Sequence, residues 1–267
     1  MPAAELSKLQ AQIRAISTQF EEPRIFLRSL LTLMELYSDQ NYKPGDLSRV
    51  KHLIPEYRLP ALVIQQLTDN LASLTASNPN SAIQIMDTLW QEKHFEARLI
   101  AAAMLSNLPA QSIEHVMDRI QKWAKPEEDE DLISALLISS NRFFSIDKME
   151  VWLHQIHRWL SLENEGMIKI GLKALLVILN DPEFVNSEKI FALLEPTILH
   201  PNFSLQKEIF SLIELLVNHS EMETTAFLRS ILAQTNNAEV VRFIRRCLPL
   251  LGQNSQASLK SFMNPPK

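Results

Sequence analysis

From Ala3 to Leu251 the apolar residues recur at intervals of three and four, and strict apolar and polar alternation never lasts the length of a strand. That spacing gathers them onto one stripe of a helix with about 3.6 residues per turn, and it predicts an all-α chain. Helix-breaking residues punctuate the pattern at Pro23, Pro44-Gly45, Pro60, Asn78-Pro79, Pro109, Pro126, Asp181-Pro182, His200-Pro201 and Asn236-Asn237. About a dozen helices are expected. Segments such as 60–76, 80–92, 94–107, 147–161, 164–180, 186–199, 202–219 and 222–235 are 13 to 18 residues long with short connectors, so neighbouring helices should run antiparallel.

The pattern also repeats on a longer scale. FEARLIAAAML, DEDLISALLIS, EGMIKIGLKALL, NFSLQKEIFSLI and AEVVRFIRRCLPLL fall on one register with Ala97, Leu132, Ile168, Leu205 and Val240 at equivalent positions, 35 to 37 residues apart. This period is near that of a two-helix solenoid repeat. Partner helices lie between them, in PAQSIEHVMDRIQKWA, SIDKMEVWLHQIHRWL, SEKIFALLEPTIL and EMETTAFLRSILAQT. An αα-hairpin of this size cannot bury its apolar stripe alone and must stack on its neighbours, so the expected architecture is a curved solenoid. Residues 1–58 fit the register poorly and are expected to cap its N-terminal end, 59–251 to form the solenoid, and the polar segment 252–267 to be a flexible tail.

Composition narrows the chemistry. The 267 residues are 46% hydrophobic and 21% charged, enough to bury a core. Only four glycines occur, Gly45, Gly166, Gly171 and Gly252, about a fifth of the usual frequency of roughly 7%, which argues against glycine-rich phosphate loops. The single Cys247 can form neither an internal disulfide nor a multi-thiolate metal site and is expected to be buried. No apolar run reaches the roughly 18 residues of a membrane span, and MPAAELSKLQAQ is too polar for a signal peptide, so a cytoplasmic protein without a membrane partner is expected. A formal charge of −5 gives no overall attraction to phosphate, so nucleic-acid binding would need a local basic line.

Three stretches carry a resemblance. SAIQIMDTLWQEKHFEARLIAAAML (81–105), with its Leu89-Trp90 pair and Glu96-x-Arg98, HPNFSLQKEIFSLIELL (200–216), with Gln206-Lys207 opening a helix, and YKPGDLSRVKHL (42–53) resemble the DNA alkylation repair family of HEAT-like-repeat DNA glycosylases. The resemblance covers most of residues 40–251, in order. It implies a C-shaped, right-handed solenoid of HEAT-like hairpins whose concave face holds damaged duplex DNA, and hydrolysis of a cationic alkylated base assisted by an aspartate, an arginine and two tryptophans, with no cofactor. Carried onto this chain, the catalytic aspartate becomes Asp131. The tryptophan four residues before it is replaced by Glu127, the arginine by Lys169 or Ile170, and the second tryptophan by Ser211. Neither glutamate nor serine offers a ring for cation–π stabilisation, so weakened or absent base excision is expected.

The residues themselves offer further candidates. In the repeat register Arg98 and Lys169 lie one step past the equivalent positions, Lys207 and Arg242 two steps, and Lys173 and Arg245 five steps, with Arg246 adjacent. Offsets of one and five share a helix face and offset two borders it, so these seven residues would draw a basic line for a nucleic-acid backbone or an acidic peptide. Asp131 stands in the acidic run Glu127 to Asp131, which a helix N-terminus also favours electrostatically. His154 and His157 lack nearby carboxylate or thiolate partners, so no metal site is expected. Trp90, Trp123, Trp152 and Trp159 are read as packing residues. Two functions stay open: a nucleic-acid-binding member of the family with weakened excision, or a scaffold for a protein partner that lost the chemistry.

Overall fold

The computed structural model describes residues 3–38, 54–144, 148–182, 184, 186–200 and 202–263. The motif at 42–53, its Pro44-Gly45 break and residues 264–267 lie outside the described residues. Among those described there are fourteen α-helices and no strand.

Helices α1 (Ala3–Ser17), α2 (Pro23–Leu36), α3 (Ala61–Ser77), α4 (Pro79–Gln91), α5 (Phe95–Leu105), α6 (Ile113–Trp123) and α7 (Glu130–Phe143) belong to one compact unit, Met1–Phe143. The second unit, Phe144–Lys267, holds α8 (Met149–Leu160), α9 (Glu165–Leu179), α10 (Ser187–Leu199), α11 (Gln206–His219), α12 (Glu221–Gln234), α13 (Ala238–Cys247) and α14 (Gln253–Met263). The punctuation residues sit where their chemistry requires. Pro23 and Pro79 occupy the first turns of α2 and α4, where no intrahelical N–H bond is lost. Asn164, Asn186, Ser220 and Asn237 cap α9, α10, α12 and α13 by accepting backbone N–H groups of Met167, Lys189, Glu223 and Glu239. Pro196 marks no boundary. It lies inside α10 on an exposed position, where water can satisfy the carbonyl left without a donor.

In the first unit α1 packs on α3, α3 on α5 and α5 on α7, while α2 packs on α4 in the other layer. There α6 follows α4 through stacked Trp90 and Trp123, 4.4 Å apart and 6° from parallel, and through the Arg119–Asp87 ion pair. In the second unit α9, α11 and α13 form one layer, and α8, α10, α12 and α14 the other. Of the register positions, Ala97, Leu132, Leu205 and Val240 are buried and Ile168 is half-buried. The 35- to 37-residue period therefore places one layer of each unit, and its apolar stripe is covered by neighbouring hairpins rather than by its own partner alone.

Aromatic side chains fill the second unit's α8 layer. Trp152 is fully buried, stacked on Phe144 at 5.4 Å and edge-on to Trp159 at 5.6 Å. The helices α8 and α9 approach closely at Gly171, where a Cβ would lie 2.9 Å from Leu160 Cδ2.

The compact units divide after Phe143, and α1 and α2 join the first unit by packing on α3 and α4. The expectation of a flexible tail is overturned over 253–263. That segment is α14, packed on α12 with Leu259 fully buried. Its entry is fixed by Glu221 Oε1, which accepts the Gly252 N–H at 2.9 Å, and Arg229 lies 5.6 Å over the Phe262 ring. One buried leucine, one half-exposed ring and the Glu221 hydrogen bond dock a helix whose other residues are mostly polar. No helix among the described residues is long and apolar enough to cross a membrane.

Candidate nucleic-acid interface

Helix α13 separates its residues sharply. Val240, Phe243, Ile244 and Cys247 are buried, whereas Arg242, Arg245 and Arg246 are exposed. Spacings of three and four put the three guanidinium groups on one face, and the cap at Asn237 starts the helix in the phase that turns this face outward. Arg246 donates through Nη1 to Gln206 Oε1 at 2.6 Å, joining α13 to the first turn of α11. The next residue, Lys207, is exposed. On α9, Lys169 and Lys173 stand one turn apart, both half-buried. The layer is also tied at its far end, where His219 Nε2 lies 2.7 Å from the Leu179 carbonyl; since a carbonyl only accepts, that nitrogen carries the proton.

Two acidic side chains are threaded through this face. Glu208 Oε1 lies 3.7 Å from Lys169 Nζ, and its Oε2 is buried without a hydrogen-bond partner. Glu165 accepts a hydrogen bond from Asn202 Nδ2 at 3.0 Å. Its carboxyl is held below the ordinary value by hydrogen bonds from Ser204 and Asn202, with the Lys169 charge adding to them.

The seven residues of the basic line do not share one fate. Lys169, Lys173, Lys207, Arg242, Arg245 and Arg246 lie on α9, α11 and α13 of the second unit, whereas Arg98 lies on α5 of the first. Arg98 is built into the fold. Its Nε donates to the Glu92 carbonyl at 2.8 Å, and its Nη1 donates to both oxygens of Glu128 at 2.8 and 3.0 Å. The other half of the Glu96-x-Arg98 motif is structural too. Glu96, 3% exposed, accepts the backbone N–H groups of Tyr57 at 2.9 Å and Leu59 at 3.2 Å.

The acidic run resolves into separate roles. Asp129 caps α7, its Oδ1 accepting the N–H groups of Asp131 at 2.9 Å and Leu132 at 3.3 Å, and Glu128 holds Arg98. Asp131 is exposed in the first turn of α7, and Glu127 is exposed before it. Ile170 is 4% exposed inside the layer, which leaves Lys169 as the cation at that position, while Ser211 is half-buried on α11. His154 and His157 are both exposed, and no cluster of three metal-ligating side chains occurs among the described residues. Cys247 is fully buried, and burial pushes its thiol up to about 12.

Sequence reasoning missed the Glu96 clamp, the orphaned oxygen of Glu208 and the pairing of Trp90 with Trp123. The first two depend on partners many residues away. The tryptophans end consecutive helices of one layer, and that shared position was a signal available in the repeat register.

A search of curated proteins finds no significant match. The family model described as DNA alkylation repair enzyme matches residues 57–247, from the segment that Glu96 clamps to the end of α13. The match spans most of the chain and both helical layers, and the protein belongs to the DNA alkylation repair enzyme family.

Proposed function

We propose that the chain binds DNA through the α9, α11 and α13 face of its second unit, with base excision weakened or absent. The observation that carries this reading is the exposed row Arg242, Arg245 and Arg246 beside Lys207, braced by the Arg246–Gln206 hydrogen bond. Family membership supports alkylated duplex DNA as the substrate class. The weakened chemistry follows from the positions matched to the family's aromatic groups, Glu127 and Ser211, which cannot present a π face to a cationic sugar or base. Each such loss removes about 1–2 kcal/mol of stabilisation, and with the arginine replaced by Lys169 the three together lower the rate by about two to four orders of magnitude.

The test has two arms. Binding of a duplex oligonucleotide should weaken steeply with salt, because each phosphate contact releases condensed counterions. Release of 7-methylguanine or 3-methyladenine from alkylated duplex DNA should be absent or slow. The competing reading, a non-catalytic scaffold for a protein partner, is favoured by the neutralisation of Arg98 by Glu128 and of Lys169 by Glu208. Salt-independent association, or none at low salt, would remove DNA and leave that scaffold.

A further inference from the structure

Beside the Trp90–Trp123 stack in the first unit lies an open polar cleft of about 540 Å³. We propose that this cleft binds a nucleotide, taking the base against Trp90 and the phosphate against Lys122, Lys125 and Arg98. Its volume falls in the roughly 300–1,000 Å³ range of small-molecule sites. The two indoles are 4.4 Å apart and nearly parallel, so no base enters between them. The accessible aromatic surface is that of Trp90, which is half-buried, while Trp123 backs it at 5% exposure. A tryptophan serving packing alone is enclosed as Trp152 is, at 0% exposure. Trp90 instead borders open polar space.

The charges around that surface select an anion. Of the two carboxylates lining the cleft, Asp87 is engaged by Arg119 and Glu128 by Arg98. Lys122 and Lys125 stand exposed at the rim, Lys122 sharing Asp118 one turn back. Arg98 is held in place through Nε and Nη1, bonds that do not use Nη2. An aromatic face beside a fixed guanidinium and two lysines complements a planar base that carries a phosphate. Bases inside a duplex are stacked on their neighbours and do not present such a face, so the two sources of this chemistry are a free mononucleotide and an unpaired nucleotide of a single strand. The cleft shares no residue with the α13 face, and the proposal stands independently of DNA binding there.

Calorimetric titration of the full chain with AMP, with adenosine and with a short oligodeoxyadenylate tests it. AMP should bind more tightly than adenosine. Trp90→Leu should weaken AMP by about 5- to 100-fold, the range typical of one base stacked on an aromatic ring, and Trp90→Phe should recover most of the loss. Lys125→Glu, at an exposed position, should weaken AMP and leave adenosine unchanged, which keeps the test decisive if Trp90→Leu fails to fold. Arg245→Ala should leave AMP binding intact. Binding of AMP and not the oligonucleotide assigns the site to free nucleotides, and binding of the oligonucleotide alone assigns it to single strands when Trp90→Leu weakens it and Arg245→Ala does not; oligonucleotide binding that only Arg245→Ala weakens belongs to the α13 face and overturns the proposal. The proposal is overturned if neither ligand binds, or if folded Trp90→Leu and Lys125→Glu both bind AMP as the parent does.

Discussion

Glu96 is buried to 3% exposure, and both carboxylate oxygens are spent on backbone donors, the N–H groups of Tyr57 and Leu59. Between those residues Arg58 adopts φ 58°, a left-handed conformation that non-glycine residues rarely occupy and that costs on the order of 1–3 kcal/mol. The carboxylate therefore holds a segment that would not keep this shape unaided. Glu96→Ala removes both acceptors and leaves two buried donors without partners. Hydrogen bonds to a charged group contribute about 1.5–3 kcal/mol each, while deletion also relieves the cost of burying the carboxylate, so a net loss of about 3 kcal/mol is expected. Glu96→Gln keeps one acceptor and turns an amide N–H toward a backbone N–H, for a loss of about 2 kcal/mol. Urea unfolding gives the global values, and hydrogen exchange at the Tyr57 and Leu59 amides reports the clamp directly. If Glu96→Ala stays within about 0.5 kcal/mol of the parent with both amides still protected, the clamp reasoning fails.

The other expectations are more local. Lys207→Ala should lower DNA affinity and reduce the slope of log affinity against log salt by about one, read by fluorescence anisotropy; an unchanged slope would take Lys207 out of the interface. The Glu221 carboxyl is held below its ordinary value of 4.5 by hydrogen bonds from Ser255 and Gly252, so its contribution is present above that value and is lost as pH falls through the lowered one. Hydrogen exchange in α14 should accordingly speed up in acid, and Glu221→Gln should flatten that dependence. Burial raises the Cys247 thiol from 9.0 to about 12, so the neutral thiol's contribution is complete below about pH 9 and falls away as pH rises toward 12. A thiol reagent at neutral pH should label Cys247 only after denaturant unfolds the chain, and rapid labelling of the native protein would contradict its burial. Asp131→Asn should change methylpurine release little. Robust release abolished by that substitution would show that the missing aromatic groups have been replaced elsewhere.

What could be read from the chain was whatever depends on neighbours within one or two turns. The three- and four-residue spacing located the helices: α3 was expected at 60–76 and spans Ala61–Ser77, and α9 was expected at 164–180 and spans Glu165–Leu179. The repeat register was legible because each hairpin buries the same stripe. Partners were not. That Arg98 is held by Glu128, thirty residues on, and Lys169 by Glu208 follows from how hairpins stack, which no spacing within a helix encodes. Helix α14 escaped notice because its docking rests on Leu259, Phe262 and a hydrogen bond to Glu221, too few apolar positions to outweigh a polar composition. Trp90 and Trp123 were visible singly as packing residues, but only their juxtaposition makes a surface.

The net charge of −5 first argued against phosphate binding, and the structure changes the weight of that argument. Several acidic side chains are consumed internally: Glu96 by backbone donors, Asp129 by the first turn of α7, Glu128 by Arg98, Glu221 by the entry to α14. Charges fixed in this way act over a few ångströms on their partners, and beyond roughly 8–10 Å salt screens what remains. A phosphate approaching α13 therefore meets Arg242, Arg245 and Arg246 rather than the molecular average. The same accounting removes Arg98 from the basic line, since its guanidinium is held by Glu128 and the Glu92 carbonyl on α5 of the first unit, where only Nη2 is left to the neighbouring cleft. Local pairing, not total charge, confines the cationic face to the second unit and leaves the first unit its own cleft, where paired acids frame a tryptophan.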